Sequence, residues 1–242
     1  GYYTAYEKMA QDELALVFHL GDYIYEYIAG NQGNIRKHHG KEIVTLSEYR
    51  VRHAQYKMDA SLQKMHARCP WFVTWDDHEV DNNCADEISE QKNVKPVDFL
   101  IRRAAAYQAY YENMPLRRTS LPAGPDLQLY RRGAFGQLAE FTVLDGRQYR
   151  SDQPNNDVRS PLNEAALNPE TTMLGAKQRN WLKQTLIESR GTWNILAQQV
   201  MMGMVGMPSG DVPMAYSMDQ WPGYTHERID LCLLYTSDAA DE

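Results

Sequence analysis

The 242-residue sequence lacks an apolar run of about eighteen residues or more, and this absence excludes a membrane-spanning helix. It also has little positive charge, because 25 Lys and Arg stand against 32 Asp and Glu and give a net charge of -7. A chain this acidic lacks the overall positive field that nonspecific nucleic-acid binding needs, so no nucleic-acid-binding surface is evident. An anionic substrate would need cations placed locally to hold it.

Cysteine is scarce, with three residues in the whole chain. Cys69 and Cys84 are spaced so that they could be two thiols or one disulfide, and so few cysteines say little about the redox compartment. Hydrophobic residues make up 43% and charged residues 24%, which is typical of a globular protein. The length fits one large domain or two small ones.

Short apolar runs alternate with longer amphipathic stretches, which predicts an α/β fold with helices covering a sheet. Thr45 and Glu48 have the spacing of a helix capping box, and Pro96 suits the first turn of a helix. The predicted elements are helices over 3–12, 45–66, 97–112 and 176–189, strands over 14–20, 70–75 and 193–199, and a hairpin of 126–132 and 138–145 through Gly133 and Gly136.

Acidic residues follow the first two strands, where α/β sheets gather their ligands. Asp22 comes directly after Gly21, and Tyr25 is near enough in sequence to bind the same ion if the loop curls. The alternative is that Asp22 caps a helix and the tyrosines pack. The segment 76–83 (DDHEVDNN) follows the second strand and is too rich in acids for a helix cap, which favours a metal or phosphate site over a solvated loop.

A third motif brings two arginines to one turn after a later strand. Arg147 and Arg150 could neutralise a phosphoryl group, since guanidinium binds phosphate in a bidentate manner. Alternatively, Asp145 pairs with one of them and only closes the turn.

Seven segments, in this order, resemble the PhoD-type alkaline phosphatases, a branch of the calcineurin-like metallophosphoesterases. The resemblance runs from residue 1 to about Asp230. It is carried by 1–27 (GYYTAYEKMAQDELALVFHLGDYIYEY), 45–59 (TLSEYRVRHAQYKMD), 70–83 (PWFVTWDDHEVDNN), 144–154 (LDGRQYRSDQP), 173–182 (MLGAKQRNWL), 193–202 (WNILAQQVMM) and 218–224 (MDQWPGY).

The resemblance implies a sandwich of two β-sheets flanked by helices, and an enzyme that hydrolyses phosphate esters with Fe(III) and Ca(II), usually outside the cytoplasm. Asp22 resembles the carboxylate that bridges two metals, and Tyr25 resembles a phenolate ligand of the ferric ion. Asp77 and Asn82 compete for the role of the oxygen ligand that calcium prefers. His78 would donate a proton to the leaving oxygen or orient the site.

The resemblance also implies that the chain is incomplete. The family supplies a Cys ligand just before residue 1 and a Gly-Asp-x-His segment beyond the end, and Ser209–Pro213 does not replace the latter because Pro213 stands where the ligand His belongs. We therefore expect a partial metallophosphatase domain over 1–231 and a non-native, adapter-derived tail over 232–242. Any export signal would lie outside this sequence.

The function expected from the whole sequence is metal-dependent hydrolysis of phosphate monoesters, and of diesters as a further class, with an incomplete metal site in this chain. One alternative is a phosphodiesterase or phospholipase D-like enzyme using the same metals. The other is a noncatalytic remnant that binds an anion or a partner. The loop 219–224 resembles the substrate-cleft loop of the family, although Trp221 could equally pack in the core. The oligomeric state is left open.

Overall fold

The computed structural model describes residues 3–28 and 37–237, with side chains described as far as residue 234. The chain divides into two compact units, Gly1–Leu129 and Tyr130–Glu242, here called unit 1 and unit 2. Among the helices of the described ranges, none is long and apolar enough to cross a membrane.

Unit 1 contains a parallel pair of strands whose ends lie side by side. Its elements are α1 (Thr4–Met9), β1 (Val17–Leu20), α2 (Leu46–Lys57), α3 (Ala60–Arg68), β2 (Trp71–Thr74) and α4 (Pro96–Asn113). In the register of the pair, Val17 lies opposite Trp71 and Leu20 lies opposite Thr74. Because parallel strands end at the same edge of a sheet, the two acidic segments that follow them start next to each other.

The core of unit 1 anchors the second acidic segment to α4. Trp75 is fully buried directly after β2. Its ring stacks on Tyr107 with centroids 4.1 Å apart and meets Tyr110 edge-on at 5.4 Å. Such aromatic pairs add about 0.5–1.5 kcal/mol beyond the area they bury. The start of the acidic segment is therefore fixed by packing.

The prediction of one continuous helix over 45–66 is wrong, because this segment forms two helices. It begins as expected, because Thr45 and Glu48 form a capping box at the start of α2. However, α2 ends at Lys57, and the Asp59 side chain accepts a hydrogen bond from the Leu62 backbone N–H at 2.9 Å to start α3. Aspartate is strongly preferred as a helix N-cap, which explains the break.

Unit 2 has a mixed three-stranded sheet in the order β3, β4, β5. Strand β4 is antiparallel to β3 and parallel to β5. The elements of the unit are β3 (Arg131–Phe135), β4 (Ala139–Val143), α5 (Gly175–Glu188), β5 (Trp193–Ala197), β6 (Met207–Ser209), β7 (Val212–Ala215) and α6 (Thr225–Ser237). A separate core cluster includes Leu144, Leu182 and the rings of Trp221 and Tyr224.

Most predicted elements are present with shifted ends. The helices over 97–112 and 176–189 are confirmed as α4 and α5, and Pro96 occupies the first turn of α4. The hairpin is confirmed, but Gly133 lies inside β3, and only Gly136 adopts the left-handed backbone of the turn. The hairpin of β6 and β7 and the helix α6 were not predicted. Since α6 runs past residue 231, the expected start of a non-native tail there stays a prediction.

The two cysteines whose pairing was left open are not joined. Cys69 is half-buried after α3 and Cys84 is buried in the core of unit 1, and both are thiols. A disulfide between them is therefore excluded.

Candidate metal centre

The loop after β1 makes a close approach to the loop after β2. Gly21 has a φ of +103°, and a Cβ atom there would lie 2.5 Å from both the Cβ and the backbone N of Asp76. The next residue, Asp22, also has a left-handed backbone, with a φ of 56°. The sequence predicted that glycine would allow this sharp turn, and the structure shows that the neighbouring loop also requires it.

The approach brings together residues that could hold a cation. Asp22, Asp77 and His78 each offer a ligand atom, and these atoms lie within 4.8 Å of one another. Asp77 is buried, and the other two are half-buried. Two carboxylates and an imidazole form a mixed oxygen and nitrogen donor set that suits a hard or borderline cation, and a cation would offset the repulsion between the carboxylates. The donor set therefore fits a metal site.

Tyr25 lies at this cluster, next to two of its members. Its hydroxyl donates a hydrogen bond to Asp22 Oδ2 at 2.9 Å, and its ring centroid lies 4.1 Å from that of His78. Burial, the hydrogen bond and the charge of Asp22 raise the pKa of Tyr25. The side chain is therefore a phenol here, and it would ligate as phenolate only if a cation displaced its proton.

Asp77 and Asn82 were competitors for one ligand role. Asp77 belongs to the cluster, and its Oδ2 also accepts from the Asn83 backbone N–H at 2.7 Å. Asn82 donates its side-chain N–H to Glu90 at 2.7 Å, so its amide oxygen is the atom that could serve a cation. Both assignments stay predictions, and the geometry favours Asp77.

Glu79 holds the two loops together, a role that the sequence reasoning missed. The buried carboxylate accepts backbone N–H groups from Asp22 at 3.2 Å, from Asp76 at 2.8 Å and from Tyr23. Burial, followed by the charge of Asp22, raises its pKa to about 8, against the opposing effect of these hydrogen bonds. In the sequence, only the position of Glu79 next to His78 in the segment 76–83 pointed to this role.

His78 is fixed by a second buried glutamate that the sequence reasoning also missed. Its Nδ1 lies 2.8 Å from Glu26 Oε2, and Glu26 is fully buried. Burial lowers the pKa of His78, but the hydrogen bond to Glu26 and the charges of Asp77, Glu26 and Asp22 outweigh it and raise that pKa to about 9. The ring can therefore carry a proton at neutral pH.

In unit 2, the two predicted arginines converge on one carboxylate. Arg147 binds Asp219 in a bidentate manner at 2.7 and 2.8 Å, and Arg150 Nη2 lies 2.6 Å from Asp219 Oδ1. Gln153 donates to the same oxygen at 2.8 Å. Burial raises the pKa of Asp219, but the two arginines outweigh this and hold the pKa well below its usual range.

Asp145 closes the turn of the arginine motif through the backbone. Its Oδ1 accepts from the backbone N–H groups of Arg147 at 3.0 Å and Gln148 at 3.1 Å. Both arginine side chains also pair with Asp219, and the alternative pairing of Asp145 with an arginine side chain stays a prediction. A contact of either arginine with a phosphoryl group stays a prediction.

The loop that carries Asp219 is built into the core of unit 2. Trp221 is fully buried and donates its indole N–H to Gln198 at 2.6 Å. Tyr224 is fully buried and lies 3.0 Å from Arg150 Nε. Trp221 therefore has the packing role that the sequence left as an alternative.

Two known proteins match most of this chain. The chain is 54% identical over 232 residues to alkaline phosphatase D of Bacillus subtilis (strain 168), a match that covers 94% of this chain and 40% of that protein. A solved structure described as the structure of PhoD superposes with a TM-score of 0.93 at 51% identity, covering 98% of this chain and 46% of the other. The mixed α/β fold is thereby confirmed, and the chain spans less than half the length of these relatives.

The match also extends across both units. The model of the PhoD-like phosphatase family fits residues 1–241, so it includes both strand-end loops and the segment with the two arginines. With this coverage and more than half of the residues identical to a curated relative, the chain belongs to the PhoD-like phosphatase family.

Proposed function

We propose that the protein of which this chain forms the matching part is a metal-dependent alkaline phosphatase that hydrolyses phosphate monoesters. The observation that carries this proposal is the cluster of Asp22, Asp77 and His78 at the ends of two parallel strands. It lies in a chain 54% identical to a protein named alkaline phosphatase D. Phosphate diesters are the second substrate class, and the family resemblance alone supports an extracytoplasmic location.

The metal ligands that we propose in this chain are Asp22, Tyr25, Asp77 and the amide oxygen of Asn82, with Fe(III) and Ca(II) as the ions. Bound there, the ions would act as Lewis acids on a phosphoryl oxygen and lower the pKa of a water. Carboxylate, phenolate and amide oxygens are hard donors, which supports this assignment. While Tyr25 keeps its proton, Asp22 accepts its hydroxyl at 2.9 Å and so holds the phenol next to the proposed site.

Side chains of this chain would donate the proton and neutralise the phosphate. His78 is the proposed proton donor to the leaving oxygen, since Glu26 and the nearby carboxylates favour its protonated form. Arg147 and Arg150 remain proposed phosphate-neutralising groups. Their hydrogen bonds to Asp219 support the additional role of holding the 219–224 loop.

The test is hydrolysis of an aryl phosphate monoester and of a bis-aryl diester by the full-length protein after equilibration with Fe(III) and Ca(II). The matched control is Asp22→Asn, which keeps the size of the side chain and removes its charge. Metal-dependent monoester hydrolysis that Asp22→Asn abolishes would support the proposal. A higher rate on the diester would favour the phosphodiesterase. A chain that binds both ions but hydrolyses neither substrate would favour a noncatalytic role.

A further inference from the structure

We propose that Glu26 is a positioning residue of the candidate metal centre, which sets the orientation of the His78 ring and fixes the second loop at Asn82. This inference rests on the proposed function, because it concerns how the chain prepares His78 for that site. Glu26 would act through its two neighbours and would not itself contact an ion or a substrate.

The Glu26 carboxylate, in the loop after β1, contacts two residues of the loop after β2. Glu26 is fully buried, its Oε2 lies 2.8 Å from His78 Nδ1, and its Oε1 accepts the backbone N–H of Asn82 at 2.9 Å. The contacts join residues 52 and 56 positions apart in the sequence. A single side chain thereby ties both the imidazole and the backbone of the second loop to the loop after β1.

The contacts with Glu26 distinguish the two nitrogens of the His78 ring. With both Glu26 oxygens accepting hydrogen bonds, the contact assigns a proton to Nδ1, whether the ring is neutral or charged. The remaining nitrogen, Nε2, is then the atom that can face a cation or a leaving oxygen. A carboxylate on the far nitrogen of a histidine is a general device for fixing the ring and raising the basicity of the other nitrogen.

Two aromatic rings also pack against the His78 ring. The ring lies 4.1 Å from that of Tyr25 and 5.1 Å from that of Tyr27, measured between centroids. These tilted and edge-on aromatic contacts restrict the imidazole but do not distinguish Nδ1 from Nε2. Glu79 has a different role, because its carboxylate accepts the backbone N–H groups of Asp22, Tyr23 and Asp76.

The experiment observes the His78 ring directly, in the 242-residue chain labelled with ¹⁵N-histidine and without added metal. In the wild type we expect a solvent-protected Nδ1–H resonance of His78. Glu26→Ala should abolish that protection, and Glu26→Gln should do the same, because its amide can hold the Asn82 N–H through oxygen but presents N–H to Nδ1. Glu90→Gln is the matched control, since exposed Glu90 accepts from the Asn82 side chain and should leave the His78 resonance unchanged.

A second readout is calcium affinity, measured by calorimetry with Ca²⁺ alone. We expect Glu26→Ala to weaken binding by about 10–100-fold, the usual effect of losing a residue that positions a metal ligand, because Glu26 holds the backbone N–H of the proposed ligand Asn82. Melting temperatures identify variants that fail to fold, and Glu26→Gln then decides, since it keeps the shape of the side chain. A protected Nδ1–H that survives in a folded Glu26 variant would overturn the inference. Absence of calcium binding in the wild type would count against the proposed function, and the ring resonances would still decide the role of Glu26.

Discussion

His53 should make unit 1 sensitive to acid. The side chain is fully buried on α2, and among the described residues neither ring nitrogen has a hydrogen-bond partner. Its ring lies between those of Tyr23 and Tyr110, at 6.1 and 6.2 Å. Burial, followed by the charge of Lys57, lowers the pKa of His53 from 6.5 to about 3.

The direction and size of the change in unfolding free energy with pH follow from proton binding to His53 in the folded and unfolded states. Below about pH 6.5 the unfolded chain binds a proton on His53, while the folded unit stays neutral until about pH 3. The stability from the neutral ring is therefore complete above pH 6.5 and is lost as the pH falls through this window. At about 1.36 kcal/mol for each pH unit, the loss at pH 5 is roughly 2 kcal/mol. His19 and His66, each with a pKa lowered to about 4 mainly by burial, should add to it.

The assay is urea unfolding followed by tryptophan fluorescence at several pH values from 4.5 to 7. We expect His53→Phe, which keeps an aromatic ring, to reduce the dependence of the unfolding free energy on pH by about 1.4 kcal/mol per unit. Met65→Leu is the control, because it alters the same core without a titratable group and should shift stability equally at every pH. An unchanged slope in His53→Phe would refute the reasoning.

Three further predictions concern the proposed site and the contacts that support it. Gly21→Ala should lower the unfolding free energy by about 2–4 kcal/mol, measured by denaturation, because the new Cβ would strain the backbone and overlap the second loop. Gly40→Ala is the control and should cost less, because Gly40 has a φ of +77° but nothing within 4 Å of a Cβ atom. In the full-length protein, Asp22→Asn should lose iron and calcium together. Tyr25→Phe should lose iron and its tyrosinate visible band but keep calcium, as measured by metal analysis and absorption spectroscopy. Asp219→Ala should destabilise unit 2 by about 3–5 kcal/mol, measured by denaturation, because it leaves two buried guanidinium groups without their shared carboxylate.

Each expectation has an outcome that contradicts it. Equal costs for the two glycine substitutions would show that the close approach of the loops is unimportant. A Tyr25→Phe protein with full iron and an intact visible band would remove Tyr25 from the site. A loss under about 1 kcal/mol in Asp219→Ala would show that the arginines find other partners.

The sequence was most informative where local chemistry decides the structure. The apolar runs before Asp22 and Asp76 predicted two strands with acids at their ends, and the capping box at Thr45 predicted where α2 begins. The break before α3 was missed because a hydrophobic period continues across it, while the cap at Asp59 depends on one side chain.

Contacts between distant segments were beyond the sequence pattern. Glu26 and Glu79 are ordinary acids in acidic motifs, and only the pairing of β1 with β2 places each carboxylate on the opposite loop. Likewise, the chemistry of Arg147 and Arg150 suggests phosphate binding. Their contact with Asp219 could not be predicted, because Asp219 lies about 70 positions further along the chain.

The register of β1 and β2 has a consequence for folding. Asp22 and Glu79 are 57 positions apart in the sequence, so the site assembles only after a long loop has closed and a parallel pair has formed. Helices α2 and α3, which lie within that loop, need only local contacts and can form earlier. An unfolded chain holds its donors too far apart to bind one ion well, so a cation at 100 times its dissociation constant would stabilise folded unit 1 by about 2.7 kcal/mol. Metal concentration would then set how much denaturant unit 1 withstands.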